Sequence, residues 1–332
     1  MMYPVFDLHC DTATMLSLRN VPADAVMAAG VPEALIPAAG QDLAASSLAV
    51  SAAAAGGVPW LQCFACFIPD GLDAEQGMGL WRCVSAYLDE QVRAHPDALA
   101  AVRGGADARS AIAAGRLGVV KTIENARLFA DDLEWVHRCA QEGVCMASLS
   151  GNARGPLASG HDDEDAGLTP AGRDAVRRME AERMVLDASH LNDVCFDEVA
   201  RIAQRPFVAS HSNARAVCGH PRNLTDAQFC EIRDRGGIVG FNYCCDFLVD
   251  DPQKAEPTYD DVCAHIEHWL DLGGERVVAL GSDFDGCETP SWLADASKLG
   301  AFQEQLTKRF GAQLCEALCG GNALAFFEAN AW

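Results

Sequence analysis

Positive charge is scarce in this 332-residue chain, and it is nowhere concentrated. Lys and Arg number 25 against 47 Asp and Glu, which gives a formal net charge of −22. A nucleic-acid-binding protein needs a basic face to displace the counterions of the phosphates, and no run of Lys or Arg exists here. The same charge opposes docking on an anionic membrane surface. We therefore expect neither nucleic acid nor membrane among the partners.

The sequence also lacks long apolar runs and any regular cysteine pattern. No apolar run approaches the ~18 residues that suggest a transmembrane helix. The opening Met-Met-Tyr-Pro-Val-Phe-Asp has neither the basic nor the apolar region of a signal peptide. The 15 cysteines are scattered through apolar segments, unlike the disulfide frameworks of small secreted domains. These features predict a cytoplasmic protein with reduced, buried cysteines.

What the chain does contain is an alternation of short β-branched-rich runs with longer helix-like segments. We predict strands at Val5–His9, Trp60–Ile68, Gly118–Ile123, Val144–Ser150, Met184–Ser189, Phe207–His211, Ile238–Asn242 and Val277–Gly281. We predict helices at Gly79–His95, Leu133–Glu142, Pro170–Glu182, Asp193–Arg201, Asp226–Arg235 and Tyr259–Leu272. Alternating strands and helices form right-handed βαβ units around a parallel sheet, and eight such strands favour a closed (β/α)8 TIM barrel. The α/β chain, residues 1–332, is expected to be one domain, with added helices after about Phe302. The small-residue stretch Ala44–Gly57 predicts a helix ended by Gly-Gly.

Metal-binding residue types stand where the predicted strands end. Strict alternation along the first strand places Asp7, His9 and Asp11 on one face, opposite Leu8 and Cys10. The ends of four later strands carry Glu124, His190, His211 and Asp283. In a parallel barrel all these ends open on the face where active sites are assembled, so we expect the side chains to converge.

Imidazole and carboxylate ligands that leave an open position for water suit zinc. The potential ligands are His9, Asp11, Glu124, His190 and His211, which is more than one catalytic zinc takes. Two zinc ions that share Glu124 as a bridge use the whole set. Such a pair, roughly 3.5–4 Å apart, can hold a bridging hydroxide and polarise a scissile carbonyl. Each residue alone could instead be a polar strand end bonded to backbone, but five matching positions disfavour that reading.

A series of runs then gives the chain a family resemblance. In order they are DLHCDT, TIEN, DASHL, ASHSNAR, HPRNL, GGIVGFN and GSDFDG. They resemble the signature segments of the membrane (renal) dipeptidase family, peptidase family M19, and the C-terminal GGNALAFFE resembles that family's closing helix. The resemblance implies a metal-dependent hydrolase of dipeptides, including those with a C-terminal D-residue, and a homodimer. It also implies that one zinc is held by His9 and Asp11, the other by His190 and His211, with Glu124 bridging both.

The same resemblance implies roles in binding substrate and moving the proton. Arg222 would grip the free C-terminal carboxylate of the substrate, a task suited to a bidentate guanidinium. Asp283 would take the proton as hydroxide attacks and pass it to the leaving amine. Asp285 is a rival for that role, although it lies past the strand end. Asn152 is a further substrate-binding candidate, and Asp7 is expected to orient metal ligands from a deeper layer.

One position departs from the family. Animal members carry a histidine after the fourth strand, within a Leu-Thr-His-Asn segment, that helps bind substrate; here Gly151 takes that place. The change puts in question how the carbonyl is stabilised and which substrates are accepted. The acidic loop Ala158–Asp165 lies on the active face, and we hypothesise that His161 replaces the missing histidine; the alternative is a solvated acidic loop.

Other candidates carry less chemistry. His265 and His268 lie three apart on a predicted outer helix and are expected to face solvent. Cys63 and Cys66 have CxxC spacing, but an odd offset on a strand points them to opposite faces. His220 is expected to shape the loop that carries Arg222.

Two other functions stay open at this point. One is a metal-dependent amidohydrolase for another amide or lactone, such as an N-acylated amino acid, which the departure at Gly151 keeps in play. A requirement for a free substrate amine would separate it from a dipeptidase. The second is a metal-binding protein without turnover, which the intact ligand set and Asp283 disfavour.

Overall fold

A curled sheet of parallel strands organises the chain in the computed structural model, which describes residues 2–18, 41–250 and 256–331. Its strands are β1 Val5–Cys10, β2 Trp60–Phe67, β3 Leu99–Ala101, β4 Leu117–Glu124, β5 Val144–Ser148, β6 Val185–Asp187, β7 Val239–Phe241 and β8 Val278–Leu280. They run in the order β6-β5-β4-β2-β1-β8-β7, and β3 pairs with the first half of β4. The predicted α/β class with a parallel sheet is therefore confirmed.

Helices connect the strands and cover the sheet. They are α1 Thr12–Ser17, α2 Ala52–Ala55, α3 Ala74–Ala94, α4 Gly105–Ala114, α5 Glu134–Gln141, α6 Pro170–Ala181, α7 Asp193–Ile202, α8 Asp226–Asp234, α9 Tyr259–Asp271, α10 Leu299–Phe310, α11 Ala312–Glu316 and α12 Asn322–Asn330. The six helices predicted between the strands are present; α3 begins at Ala74 instead of Gly79, and every other end lies within one residue of its predicted place. The short strand β3 and the Ala-rich helix α4 were not predicted.

The predicted strand Phe207–His211 is not a regular strand in the structure. It makes single parallel bridges, Asp187 with Val208 and Ala209 with Val239, which join it to β6 and β7 at the two ends of the curled sheet. Its last two amides bond to side chains instead: Ser210 N donates to Asp187 Oδ1 at 2.8 Å, and His211 N donates to Ser189 Oγ at 3.1 Å. Side-chain acceptors thus replace the ladder bonds that a regular strand would need.

The small-residue stretch Ala44–Gly57 is helical only over α2. Gly56 ends that helix with a φ of 59°, as a left-handed glycine commonly does. Before it, the Asp42 side chain accepts from Ala44 N at 2.9 Å and Ala45 N at 3.0 Å. Such local side-chain acceptors compete with helical bonding, so the predicted helix is shortened.

The buried side chains fall into two clusters that the sheet separates. Cys63 lies in one and Cys66 in the other, which confirms that the CxxC pair does not face one site. The smaller cluster also contains Phe326 and Phe327 of α12, and the Phe327 ring lies 5.2 Å from that of Phe6 in β1. The terminal helix therefore packs at the N-terminal end of β1, opposite the strand ends that carry the metal-type residues.

Two further observations concern the cysteines and the helices. Each of the fifteen cysteines, all within the described ranges, is free. In the described part of the chain, none of the helices combines the length and the apolar character needed to cross a bilayer.

Candidate metal centre and active site

The C-terminal ends of separate strands bring the predicted ligands into one buried cluster. His9 lies near the end of β1, with Asp11 just after it, and Glu124 is the last residue of β4. The Nε2 atom of His9 is 3.2 Å from Glu124 Oε2, 3.6 Å from Asp11 Oδ2 and 3.9 Å from Asp283 Oδ1. One imidazole nitrogen therefore faces three carboxylates contributed by different strands.

The second half of the cluster follows β6 and the segment 207–211. His190 Nε2 is 2.8 Å from Glu124 Oε1 and 2.9 Å from His211 Nε2. The rings of His9 and His211 stack with centroids 3.8 Å apart. The two carboxylate oxygens of Glu124 thus point to different histidines.

Local backbone features aim these side chains. In β1, Asp7 pairs with Gln62 and Cys10 with Phe64, so three steps along β1 match two along β2. This bulge places Asp7 on the face of Cys10, and the prediction that Asp7 shares a face with His9 was wrong because strict alternation breaks there. The Asp7 carboxylate instead accepts from His9 N at 3.2 Å and Ser282 N at 2.9 Å. It thereby fixes the backbone of a ligand.

Two site residues adopt left-handed backbone that non-glycine residues seldom use. His190 has a φ of 73° and Asp283 a φ of 61°. Such conformations cost energy and are found where function demands a particular side-chain direction. The Asp283 carboxylate is also closely packed, because a Cβ on Gly286 would lie 2.5 Å from Asp283 Oδ1 and 2.2 Å from Asp11 Oδ2. The last glycine of GSDFDG therefore leaves room for both carboxylates.

A layer of polar residues that the sequence did not single out holds the ligands. Asp187 accepts from Ser210 Oγ at 2.5 Å, and Ser210 Oγ lies 2.6 Å from His211 Nδ1. Asn242, the last residue of GGIVGFN, donates to Asp283 Oδ2 at 2.9 Å. Partners of this kind fix ring orientation and ligand basicity. Asp187 and Asn242 lie inside the recognised runs, so their strand-end positions could have indicated them.

Asn152, predicted to bind substrate, contacts a ligand in the structure. Its Oδ1 lies 2.7 Å from His190 Nδ1. That bond orients the His190 ring so that Nε2 faces Glu124 and His211. The predicted contact between Asn152 and substrate stays a prediction.

The buried acids and histidines of the cluster shift one another's pKa. Burial, and then the neighbouring charge of Glu124, raise the pKa of Asp11 to about 7. Burial and then the positive charge of His9 lower the pKa of His211 well below its ordinary value. Burial alone would lower the pKa of His9, but the neighbouring carboxylates of Asp11 and Glu124 raise it well above its ordinary value. Buried carboxylates and imidazoles at this density need a shared positive charge or shared protons.

The chemistry and spacing of the ligand atoms in the cluster fit a metal ion. Among the described residues, His9 Nε2 and Asp11 Oδ1 are buried without a hydrogen-bond partner. Ligand atoms of His9, Glu124 and His211 lie within 4.8 Å of one another, and so do those of His9, Asp11 and Asp283. Imidazole and carboxylate donors suit zinc and neighbouring divalent metals. The predicted division of ligands between two ions stays a prediction.

Arg222 forms a buried cation beside this cluster. Only 4% of the residue is exposed, and its Nη1 donates to Ser212 Oγ at 3.3 Å. Its Nε and Nη2 have no hydrogen-bond partner in the described part of the chain. His220 accepts from Arg222 N at 3.1 Å, so it shapes this loop as expected. A buried guanidinium with free donors fits a carboxylate ligand.

One other acid, Asp285, and one other histidine, His265, have structural contacts instead. Asp285, the rival of Asp283, accepts from Thr12 Oγ1 and from Ala49 N, so it holds α1 and a loop instead of facing the ligands. His265, predicted to face solvent, is fully buried in α9. Its Nδ1 accepts from Ala214 N at 3.1 Å and its Nε2 lies 3.0 Å from Leu248 O, which ties α9 to the loops behind the site. That prediction was wrong because helical spacing does not reveal which face packs inward.

Comparison with known proteins identifies the family. The family model of membrane dipeptidase (peptidase family M19) matches residues 1–331. The chain belongs to peptidase family M19. The predicted resemblance is thus confirmed over essentially the whole sequence.

Solved structures of this family share the fold along the full chain. A family M19 metallopeptidase described as dipeptidase AC has a TM-score of 0.86 and 29% identity, with 100% of this chain and 99% of that chain covered. A metallopeptidase from Rhodobacter sphaeroides, bound to a phosphinate mimic of L-Ala-D-Ala, has a TM-score of 0.86 and 27% identity over 100% of both chains.

Curated relatives match over shorter stretches. An uncharacterised dipeptidase of Schizosaccharomyces pombe is 34% identical over 193 residues, 56% of this chain and 46% of its own length. A protein encoded in the pqqA 5′ region of Klebsiella pneumoniae is 44% identical over 141 residues, 42% of this chain and 52% of its own. The matches span about half the length of these two relatives.

Proposed function

We propose that this chain is a two-zinc dipeptidase that hydrolyses the peptide bond of free dipeptides, including those with a C-terminal D-residue. The observation that carries the proposal is the buried Arg222, two of whose donors have no partner among the described residues, beside a buried cluster of three histidines and three carboxylates. His9 and Asp11 would hold one zinc, His190 and His211 the other, and Glu124 both. When bound, the zinc ions would supply an acidified water and polarise the scissile carbonyl.

The residues of the chain account for the rest of the reaction. Arg222 binds the C-terminal carboxylate, which fixes the distance from that group to the scissile bond. Asn242 engages Asp283 Oδ2, so the other oxygen, Oδ1, faces His9 at 3.9 Å. Asp283 takes a proton from the attacking water and delivers it to the amide nitrogen as the C–N bond breaks. Products are two free amino acids.

Two finer points of architecture belong to the same proposal. The single bridges of segment 207–211 to β6 and β7 support a closed (β/α)8 barrel in which this segment takes the place of a strand. The family resemblance supports a homodimer, for which light scattering of the purified protein is the test.

Tolerance of a D-residue is supported by the Rhodobacter sphaeroides relative, which holds a mimic of L-Ala-D-Ala.

One assay tests the proposed dipeptidase activity and the alternative amidohydrolase activity together. Zinc-loaded protein is assayed with L-Ala-L-Ala, L-Ala-D-Ala and N-acetyl-L-Ala-D-Ala, and release of alanine is followed. A dipeptidase cleaves the free dipeptides and loses activity when the amine is acylated. Cleavage of the N-acetylated compound alone, or of none of the three, would overturn the proposal.

A further inference from the structure

Position 151, where animal relatives carry a histidine, is closed to side chains in this protein. A Cβ on Gly151 would lie 2.9 Å from both carboxylate oxygens of Asp70. That carboxylate is tied in place, because it accepts from Asn152 N at 3.1 Å, Ala153 N at 3.0 Å and Asn125 Nδ2 at 3.0 Å. A histidine here would have to displace a fully engaged acid. The departure from the family is therefore built into the surrounding structure.

The loop that follows returns to the same place. Gly160 N donates to Ala153 O at 3.0 Å, and Asp162 N donates to Asn152 O at 2.9 Å. The two arms of the loop thus form a short antiparallel ribbon. A Cβ on Gly160 would lie only 2.0 Å from Gly151 O, so the two backbones touch. The backbone of the residue after Gly160 consequently lies close to Gly151.

That residue is His161, and its ring lies near the loop that carries Arg222. Gly160 also bridges to Leu191, directly after the ligand His190. The His161 ring lies 5.6 Å from the ring of His220, two residues before Arg222 in sequence. Its side chain is 12% exposed, and in the described ranges its buried Nδ1 has no hydrogen-bond partner. A buried ring nitrogen with nothing to bond implies a ligand that supplies the contact.

The electrostatic surroundings fix the form of the ring. Burial, and then the positive charge of Arg222, lower the pKa of His161 to about 4. Near neutral pH the ring is therefore neutral, and one of its nitrogens carries a proton that it can donate. A neutral donor can stabilise developing negative charge on an oxygen without adding a further charge near Arg222 and the metals.

We propose that His161 is a catalytic residue that donates a hydrogen bond from Nδ1 to the oxygen of the scissile carbonyl, in place of the histidine missing at position 151. This inference rests on the proposed dipeptidase function. His161 follows Gly160, which bridges to Leu191 beside the ligand His190, and its ring lies by His220 of the Arg222 loop. A dipeptide held by Arg222 at its carboxylate and by the metal ligands at its peptide bond would therefore run close to His161. The carbonyl oxygen gains negative charge as water adds to the carbon, so the bond strengthens in the transition state.

The test compares His161→Ala and His161→Gln with the wild type and with Glu164→Ala, a change of an exposed residue on the same loop. We measure kcat and KM for L-Ala-D-Ala, affinity for a phosphinate dipeptide mimic, zinc content and Tm. His161→Ala should lose on the order of 10²–10³-fold in kcat, the loss typical of one oxyanion donor, with KM little changed. Its affinity for the phosphinate should fall in parallel. His161→Gln, which keeps a donor, should recover part of both, and Glu164→Ala should match the wild type.

Each contrary outcome points to a different failure. If the wild type cleaves dipeptides and His161→Ala keeps kcat and phosphinate affinity within about threefold, far below the loss of an oxyanion donor, the role of His161 is refuted. If His161→Ala loses activity only together with zinc or thermal stability, the residue is structural and the inference also fails. If the wild type cleaves no dipeptide, the proposed function fails first and the inference falls with it.

Discussion

Replacing Arg222 with methionine separates the binding of the substrate carboxylate from the chemistry at the peptide bond. Methionine keeps much of the length and apolar stem of the side chain but removes all of its donors. Two of those donors, Nε and Nη2, are unpaired among the described residues and would form the bidentate contact. Each hydrogen bond to a charged group contributes about 1.5–3 kcal/mol. Two of them correspond to a loss of about 10²- to 10⁴-fold in kcat/KM.

The structure also predicts how the loss is distributed. The carboxylate is gripped equally before and during bond cleavage, so the change should raise KM more than it lowers kcat. Stability should not suffer, because an unliganded buried guanidinium pays desolvation without full pairing. Burial accordingly lowers the pKa of Arg222. Tm of the variant should equal or exceed that of the wild type.

The assay uses L-Ala-D-Ala and its C-terminal amide. Wild-type protein should prefer the free acid strongly, and Arg222→Met should cleave the two with similar kcat/KM. Arg177→Met, a change of an exposed arginine with 63% of its side chain accessible, is the matched control and should keep the preference. A variant that retains both its activity and its preference for the acid would refute the reasoning. Equal loss on both substrates together with zinc loss would instead assign Arg222 a structural role.

Three further predictions concern the proton, the ligand carboxylates and the metal. Asp283→Asn should lower kcat for L-Ala-D-Ala by about 10²- to 10⁴-fold with zinc content kept; unchanged kcat would exclude Asp283 as the proton carrier. In metal-free protein, burial raises the pKa of the Asp11 carboxyl to about 7, against ~3.9 in the unfolded chain. The protonated carboxyl therefore stabilises the folded state fully below pH ~4, and this stabilisation is lost as the pH rises through about 7. Asp11→Asn should therefore increase the free energy of unfolding of the metal-free protein by a few kcal/mol at pH 8 and by little at pH 4; chemical denaturation that shows the same effect at both values would contradict this. Removing metal with a chelator should lower Tm. Zinc added back at ~100 times its Kd should restore about 2.7 kcal/mol of the free energy of unfolding, and a Tm that does not change with zinc would contradict a metal centre.

Strand ends made the site predictable from the sequence. His9, Glu124, His190, His211 and Asp283 are far apart along the chain, yet the geometry of a parallel sheet requires its strand ends to meet. The residues needed only to be placed at those ends, which apolar runs mark well. The ligand cluster therefore followed from local patterns plus one topological rule.

Features set by contacts between distant segments were not predictable in this way. The bulge in β1 that turns Asp7 away from the face of His9 depends on pairing with β2. The burial of His265 depends on loops that pack against one face of α9. The Asp70 carboxylate that fills the space beside Gly151 comes from a different loop, and no pattern near either residue links the two. Each of these features depends on tertiary contacts that no local sequence pattern reveals.

The most direct test of the central claim is reconstitution of metal-free protein with zinc while hydrolysis of L-Ala-D-Ala is followed. The account predicts no activity without metal and a rise that saturates near two equivalents of zinc per chain. It also predicts that Glu124→Gln, which weakens the shared ligand, lowers both the activity and the number of zinc ions bound. Full activity without metal, or two bound zinc ions with no cleavage of any free dipeptide, would contradict it.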